Sequence, residues 1–262
     1  MKARPRLKLR ANVGLAAAAL GLGFNVTVTA APLVSVDFES IVGYTLVADG
    51  GGTATRSTDQ ANSATHSAKL TLPNTVNDFA KVVVDVAPAT VTLGQAIGTF
   101  KTYIPSGQTA GSSYAPYMYF LVDSNKNGIA DFTGSSGGDS FVIAFFTPTI
   151  ALDTWMQSGL DQSNIVHVVG DRSGLGATDF SSSNGGGLLS ALDATSTGSG
   201  LWGNLDILQI RVGAGSTGGD IGPYTAYVDD INVSSSAVPE PATLALVGLA
   251  LAGLGYSRRK QA

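Results

Sequence analysis

The chain of 262 residues contains no cysteine and only two histidines. The lack of cysteine excludes disulfides, thiolate metal sites, a cysteine nucleophile and a lipid anchor on cysteine. Between residues 32 and 236 every acidic residue is an aspartate except Glu39. Few side chains are therefore available as a tuned acid or base near neutral pH, and we expect the protein not to be an enzyme.

Sequence patterns typical of hydrolases are also missing. Glycoside hydrolysis generally needs two carboxylates facing one sugar ring, and no spacing of aspartates selects such a pair. His66 and His167 have Ser and Asp nearby in the sequence, but no Gly-x-Ser-x-Gly turn supports a triad. A polysaccharide hydrolase is kept as the alternative to a binding protein.

The basic residues are concentrated at the two ends of the chain. Residues 32–236 hold seven Lys and Arg against eighteen Asp and Glu, a net charge of −11. Such a surface repels nucleic acid and suits divalent cations. We expect no nucleic-acid partner.

Long helical patterns are missing too, whereas short apolar or alternating segments recur between Gly, Ser, Asn and Asp clusters. Residues 31–233 are expected to form one all-β domain, a two-sheet sandwich of jelly-roll type. Residues 173–200 are expected to be a long loop or a cover with a short helix near 188–192, and 234–237 a linker. The predicted strands are residues 33–38, 68–72, 81–86, 98–104, 117–122, 140–146, 165–169, 206–212 and 226–233.

Two of these predictions are more specific. Residues 117–122 and 140–146 form the most apolar pair and are expected to lie centrally. The alternation in residues 206–212 places Leu208, Ile210 and Val212 on one face of a strand.

The N-terminus has the three parts of a secretory signal peptide. Five Lys and Arg within the first ten residues precede an apolar stretch at residues 13–24, and Val28-Thr29-Ala30 offers small residues to a signal peptidase. We expect cleavage after Ala30, since the next position would place Pro32 first in the mature chain.

The C-terminus combines a short motif, an apolar segment and a basic tail. Val238, Pro239, Glu240 and Pro241 precede fifteen uncharged residues, 242–256. As a helix this segment is about 22 Å long, short of a hydrocarbon core of about 30 Å, so it is a marginal transmembrane helix. Positive charge after an apolar segment stops transfer and stays in the cytoplasm. The basic tail is Arg258, Arg259 and Lys260.

This order of motif, helix and tail resembles the PEP-CTERM sorting signal of exported proteins in Gram-negative bacteria. The resemblance implies processing by an exosortase and association with surface or extracellular polymeric material. The expected location is therefore first the inner membrane, as an anchored precursor, and then the cell surface or extracellular matrix.

Two other segments resemble carbohydrate-binding jelly rolls of the galactose-binding-like and lectin-like type. They are residues 36–39 with 67–70, and the closing residues 227–233. The resemblance implies that the first and last strands are neighbours and share a structural calcium site, and that the ligand is a polysaccharide.

Residues 123–131 read Asp-Ser-Asn-Lys-Asn-Gly-Ile-Ala-Asp, with oxygen side chains at alternate positions and a glycine for the sharp turn. The segment resembles the calcium loop of EF-hand-like and dockerin-like repeats. It departs from the EF-hand because the twelfth position is Gly134 rather than a glutamate. A plain Asn-Gly hairpin turn is the alternative. The predicted calcium ligands are Asp123, Asn125, Asn127, the Ile129 carbonyl and Asp131.

Asp229 is the second candidate metal ligand. The alternation places it on one face with Tyr227, Ile231 and Val233, which should be the buried face. A buried carboxylate is costly unless it is paired or binds a metal, so a calcium ion shared with Glu39 or with a backbone carbonyl near Asp49-Gly50 is one solution. The alternative is hydrogen bonding to loop amides, or an edge position at the end of the sheet.

Four aromatic residues in or beside predicted loops are candidates for stacking on a sugar, with core filling as the alternative. We therefore expect an exported β-sandwich that acts as a binding or structural component of extracellular polysaccharide, with a hydrolase or a purely structural surface protein as alternatives. The aromatic candidates are Tyr114, Trp155, Trp202 and Tyr224.

Overall fold

The computed structural model describes residues 32–73, 78–108, 115–134, 137–144, 151–172, 174–176, 179–197, 200–215 and 223–235. The predicted signal peptide (1–30) and the sorting signal (238–262), with its predicted transmembrane helix at 242–256, lie outside these residues. Within the described ranges, no helix is both long and apolar enough to cross a membrane.

The described residues form two antiparallel sheets that face each other, which confirms an all-β, two-sheet sandwich. In chain order the strands are β1 (Val34–Val36), β2 (Thr45–Asp49), β3 (Thr53–Ser57), β4 (Ser67–Leu72), β5 (Phe79–Asp85), β6 (Ala96–Tyr103), β7 (Tyr117–Val122), β8 (Ser140–Ala144), β9 (Met156–Leu160), β10 (Ile165–Gly170), β11 (Gly187–Leu188), β12 (Ile207–Gly215) and β13 (Tyr224–Ser235).

The first sheet has the order β3-β4-β13-β6-β9, with β1 paired to β13, and is called the six-stranded sheet. The second has the order β11-β10-β8-β7-β12-β5-β2 and is called the seven-stranded sheet. The pairing of Val36 with Ile231 confirms that the first and last strands are neighbours. The two apolar segments also lie centrally, since β7 occupies the middle of its sheet and β8 lies beside it.

All nine predicted strands are present, and four others were missed. The missed strands β2, β3, β9 and β11 are the outer strands of the two sheets. An outer strand pairs on one side only and needs fewer apolar residues, so its alternation is weak. The strand β3, Thr-Ala-Thr-Arg-Ser, buries none of its five residues fully.

The core lies between the sheets, where alternate residues of facing strands meet, as Leu70, Phe100 and Phe120 do.

The predicted inward face of the strand at residues 206–212 is wrong in part. The pairing of β12 with β7 shifts register between Ile207 and Gln209, so a bulge moves Ile207 into the core cluster with Ile210 and Val212. Leu208 is buried but lies outside that cluster.

The short helix is present as α1 (Leu189–Asp193), which buries Leu189 and Leu192. It lies next to the 3-10 turn Trp202–Asn204. The linker prediction is wrong at its start, because β13 continues through Ser235 and includes two of the four residues assigned to 234–237.

Candidate functional site

A groove of about 570 Å³ lies on the outer face of the six-stranded sheet, where β4 and β13 run side by side. The alternation of these strands turns Leu70 and Ala226 inward and leaves Lys69, Thr71 and Thr225 facing out. The groove is lined by Lys69, Thr71, Leu72, Pro73, Pro105, Gly107, Gln108, Pro223, Tyr224, Thr225 and Tyr227.

Three aromatic rings continue from this groove along the sheet, and we call them the aromatic strip. The ring of Tyr227 lies 6.1 Å from that of Tyr103, edge to face, and Tyr103 lies 5.7 Å from Trp155. Tyr103 and Trp155 are half-buried, whereas Tyr227 is buried. Aromatic faces beside polar groups are suited to holding the apolar face of a sugar ring.

Two carboxylates and one lysine beside the strip are already hydrogen-bonded. Lys69 Nζ donates to Asp59 Oδ2 at 2.7 Å and lies 5.8 Å from the Tyr227 ring centroid. The hydrogen bond raises the pKa of Lys69 and lowers that of Asp59. On the far side, Asp153 Oδ1 accepts from the Ser106 amide at 2.8 Å, and hydrogen bonds from Ser106 lower the pKa of Asp153.

Gln108 stabilises the wall of the groove. Its side-chain amide donates to the Thr225 carbonyl at 2.8 Å and accepts from the Thr225 amide. It also donates to the Pro105 carbonyl at 2.9 Å. The strand β13 pairs with β6 only from Tyr227 onwards, so Gln108 takes the place of a neighbouring strand at Thr225.

Of the four aromatic residues predicted from the sequence, only Trp155 lies at the strip. Trp202 is 0% exposed and belongs to the core, and Tyr224 is almost fully buried, so neither has a ring face free for a sugar. For these two the alternative, core filling, is correct. Tyr114 lies outside the described residues. Sequence reasoning missed Tyr103 and Tyr227.

A second aromatic group on the outer face of the seven-stranded sheet is covered. Tyr119 and Phe141 are each 8% exposed. The guanidinium of Arg211 lies 4.5 Å from the Phe141 centroid, and Phe132 stacks against Phe141 at 4.2 Å. These rings stabilise the sheet and leave no open platform.

Asp229 is buried, as predicted, but not on the predicted face. A bulge at Asp229 and Asp230, where Asp230 has φ +49°, reverses the alternation. Ile231 therefore joins the core, whereas Tyr227 faces outward. Asp229 accepts from the amides of Asn62 at 2.8 Å and Ser63 at 3.2 Å.

Glu39 contacts the same loop, residues 58–66, at different amides. It accepts from the amides of Thr65 at 2.8 Å and His66 at 2.7 Å, and hydrogen bonds from Thr65 are the main cause that lowers its pKa to about 2. Glu39 and Asp229 share no hydrogen-bond partner. Loop amides donate to both carboxylates, as the alternative expects, and a shared calcium ion stays a prediction.

Burial raises the pKa of Asp229 to about 6 from 3.8. Its contribution to stability is therefore fully present below about pH 4 and is lost as the pH rises through about 6. We expect the variant Asp229→Asn to lose this dependence of stability on pH. The Tm of the wild type minus the Tm of the variant should therefore increase as the pH is lowered from about 7 to about 4.5. Thermal unfolding in EDTA measures it. A difference that is constant with pH would show that the folded state does not perturb Asp229.

The two histidines belong to different parts of the sandwich. His66 precedes β4, and its Nδ1 lies 3.2 Å from Glu39 Oε2. His167 lies in β10, and burial lowers its pKa. The structure does not bring them together.

The residues of the predicted calcium loop are brought together. Asp123 accepts from the amides of Asn127 at 3.0 Å and Gly128 at 2.9 Å. The side-chain NH₂ groups of Asn125 and Asn127 donate to the two oxygens of Asp131 at 3.0 and 2.9 Å. Ile129 donates its amide to Asn127 Oδ1 at 2.7 Å. Among described residues, no three His, Cys, Asp or Glu side chains converge on one point, so calcium stays a prediction here.

Asp139 was missed by sequence reasoning, although it lies against this loop. Its Oδ2 accepts from the Asp131 amide at 2.9 Å. Burial raises its pKa to about 6, and the negative charges of Asp131 and Asp123 add to the effect.

Comparison with known proteins concerns first the C-terminus. The family described as the PEP-CTERM protein-sorting motif matches residues 237–260. The chain carries a PEP-CTERM sorting motif. This PEP-CTERM motif indicates an exported protein that an exosortase processes, and it coincides with the motif, apolar segment and basic tail identified above. A search of curated proteins found no match.

Several solved structures resemble the sandwich at low identity. A family 11 carbohydrate-binding module from Clostridium thermocellum, in complex with a β-1,3-1,4-mixed-linked tetrasaccharide, has 14% identity, covers 76% of this chain and 92% of its own, and has a TM-score of 0.42. The CBM22-1 xylan-binding domain of Xyn10C from Paenibacillus barcinonensis has 11% identity, coverages of 79% and 96%, and a TM-score of 0.42. The cellulose induced protein Cip1 has 14% identity, covers 77% of this chain and 96% of its own, and has a TM-score of 0.44. At these values the likenesses carry no conclusion about the ligand.

Proposed function

We propose that this PEP-CTERM protein is sorted to the surface of a Gram-negative bacterium, where its β-sandwich binds a polysaccharide of the extracellular matrix without cleaving it. The observation that carries the proposal is the pair of half-exposed rings in the aromatic strip, Tyr103 and Trp155, which lie next to the buried Tyr227 beside an open groove. The half-exposed rings of Tyr103 and Trp155 offer apolar faces to a sugar ring, and the neighbouring hydroxyl and amide groups supply hydrogen bonds.

The charges near the groove favour binding over cleavage. A glycoside hydrolase needs one carboxyl group with a raised pKa, so that it is protonated and able to donate to the leaving oxygen. The carboxylates that flank the strip, Asp59 and Asp153, both have lowered pKa values because of their hydrogen bonds. They stay ionised at neutral pH and are unsuited to that role.

We expect Trp155→Ala to weaken polysaccharide binding about tenfold, the equivalent of about 1.4 kcal/mol, because one stacking face is lost. The full chain is incubated with a panel of bacterial and plant glycans and assayed by pull-down and by release of reducing ends. Phe132→Ala is the control, since Phe132 is an aromatic residue, 37% exposed, that packs on the other sheet. The control should bind as the wild type does.

The alternatives give different results in the same assay. If the wild type releases reducing ends and the Asp153→Asn variant does not, the hydrolase would be supported. Neither binding nor release with any glycan would support a purely structural surface protein. Equal loss of binding in Trp155→Ala and Phe132→Ala would contradict the assignment of the groove.

A further inference from the structure

A second row of side chains lies beside the aromatic strip on the outer face of the six-stranded sheet. Tyr103 ends β6, and Trp155 directly precedes β9, the neighbouring strand. Two positions away from these rings, and therefore on the same face, Lys101 of β6 and Gln157 of β9 are cross-strand partners. The rise of a strand places this second row about 6–7 Å from the first. A sugar ring on the strip therefore has its substituents within reach of the Lys101 side chain.

The half-buried Lys101 has a charge that no other side chain compensates. Among the described residues, no hydrogen bond or ion pair includes its ammonium group. The two other lysines on outer faces of the sheets are paired: Lys69 donates to Asp59, and Lys81 donates to Asp49. The ammonium group of Lys101 is therefore free to bind a negative group of a ligand.

The carboxylate that lies opposite Lys101 in the sheet is used elsewhere. On β13 the position paired with Lys101 is Asp229, which is fully buried. Its oxygens accept hydrogen bonds from the amides of Asn62, Ser63 and Asp230. None of the ion pairs within the described ranges joins Asp229 to a basic residue. The loop that covers Asp229 therefore holds its carboxylate and leaves Lys101 unpaired.

The charges close to the strip are balanced, in contrast to those of the domain. The net charge of −11 over residues 32–236 repels an anion at long range, but at an ionic strength of about 0.15 M charges more than about 8 Å away are largely screened. Beside the strip, Asp59 forms an ion pair with Lys69, and Asp153 accepts a hydrogen bond from the Ser106 amide. The surroundings of Lys101 therefore permit an anionic group on a bound sugar.

We propose that the polysaccharide is acidic, and that Lys101 binds the negative group of a sugar that lies on Tyr103 and Trp155. The inference rests on the proposed function, because it names the class of sugar held at the same strip. A carboxylate, sulfate or phosphate group forms the same charge-assisted hydrogen bond to an ammonium group. The exposed amide of Gln157 is able to donate to and accept from the neighbouring sugar hydroxyls.

The test compares polysaccharides that differ only in charge. The affinity of the full chain is measured by calorimetry at about 0.15 M NaCl, where the Debye length is about 8 Å. The probes are polygalacturonate against its fully methyl-esterified form, for a carboxylate, and dextran sulfate against dextran, for a sulfate. We expect the wild type to bind one of the acidic polymers at least about tenfold more tightly than its neutral counterpart.

Three lysine variants assign the effect. Lys101→Met removes the charge and keeps the apolar stem, so its Tm should equal that of the wild type. It should weaken binding of the acidic polymer at least about tenfold and leave binding of the neutral polymer unchanged. Lys101→Arg should restore binding of the acidic polymer. Lys81→Met is the matched control, because it also removes one positive charge but lies on the other sheet. The control should bind as the wild type does.

Two outcomes would overturn the inference while leaving polysaccharide binding in place. One is equal affinity for the acidic and the neutral polymer, with both still weakened by Trp155→Ala. The other is equal weakening in Lys101→Met and Lys81→Met, since that result assigns the preference to net charge rather than to a contact with Lys101. Failure of the wild type to bind any of the four polymers or any glycan of the panel would contradict the proposed function itself, and the inference with it.

Discussion

Replacement of Trp202 by alanine should lower the free energy of unfolding by about 3–5 kcal/mol, whereas replacement of Trp155 should cost less than about 1 kcal/mol. Trp202 is fully buried where its 3-10 turn packs against α1 and the turn Leu93–Gln95. Its removal leaves a large cavity that the surrounding residues fill only in part. Trp155 lies in the aromatic strip, where water replaces the lost ring.

These are the only two tryptophans in the sequence, so fluorescence distinguishes them. Each alanine variant keeps one tryptophan, and a soluble quencher should reach the indole of Trp155 more easily than that of Trp202. Trp202 Nε1 lacks a hydrogen-bond partner among described residues, so Trp202→Phe should cost much less than Trp202→Ala. Denaturant unfolding gives the free energies. Equal losses for Trp202→Ala and Trp155→Ala would contradict the burial of Trp202.

The interior strands and β1 could be predicted from the sequence, whereas the strands at the two ends of each sheet could not. A strand in the centre of a sheet pairs on both sides and is covered by its neighbours, so its sequence is apolar. The apolar run at residues 117–122 is therefore recognisable from the sequence alone. The strand β9 pairs on one side only, and its sequence Met-Gln-Ser-Gly-Leu has no clear period. The tertiary contact that makes β9 a strand is with β6, more than fifty residues away in the sequence.

The site residues show a similar division. Local features were visible: residues 123–131 do curl around Asp123, as the alternating oxygens suggest. Features that depend on bulges were not. Asp229 was placed on the wrong face because two positions, Asp229 and Asp230, occupy a bulge that shifts the alternation. Asp139 follows a segment with no motif, and only the pairing of β8 with β7 brings it to the loop.

Tyr103 and Tyr227 were overlooked for a different reason. Both lie within predicted strands, and the search for sugar-binding residues considered loops. The alternation itself carried the signal, since Tyr103 follows Lys101 at the outward spacing of two on β6.

Substitution of Pro239, Glu240 and Pro241 by alanine should abolish release of the sandwich from the membrane. The match of the sorting family to residues 237–260 supports recognition of this motif by an exosortase. The uncut precursor should then keep its 242–256 segment in the inner membrane, with the sandwich outside and the basic tail inside. Cell fractionation should find almost all of the variant in the inner membrane, whereas the wild type is found at the surface.

Mass spectrometry of the surface protein decides the processing step. Wild-type molecules should end near residues 239–241 and lack every peptide beyond them, whereas the variant should yield peptides through Ala262. The sandwich is the internal control: its described part ends at Ser235, before the motif, so both proteins should have the same Tm. Wild-type surface protein that retains the peptide ending at Ala262 on most molecules would refute the processing step. Because the apolar segment 242–256 would still be present in that case, the same result would leave a membrane anchor as the function of this end of the chain.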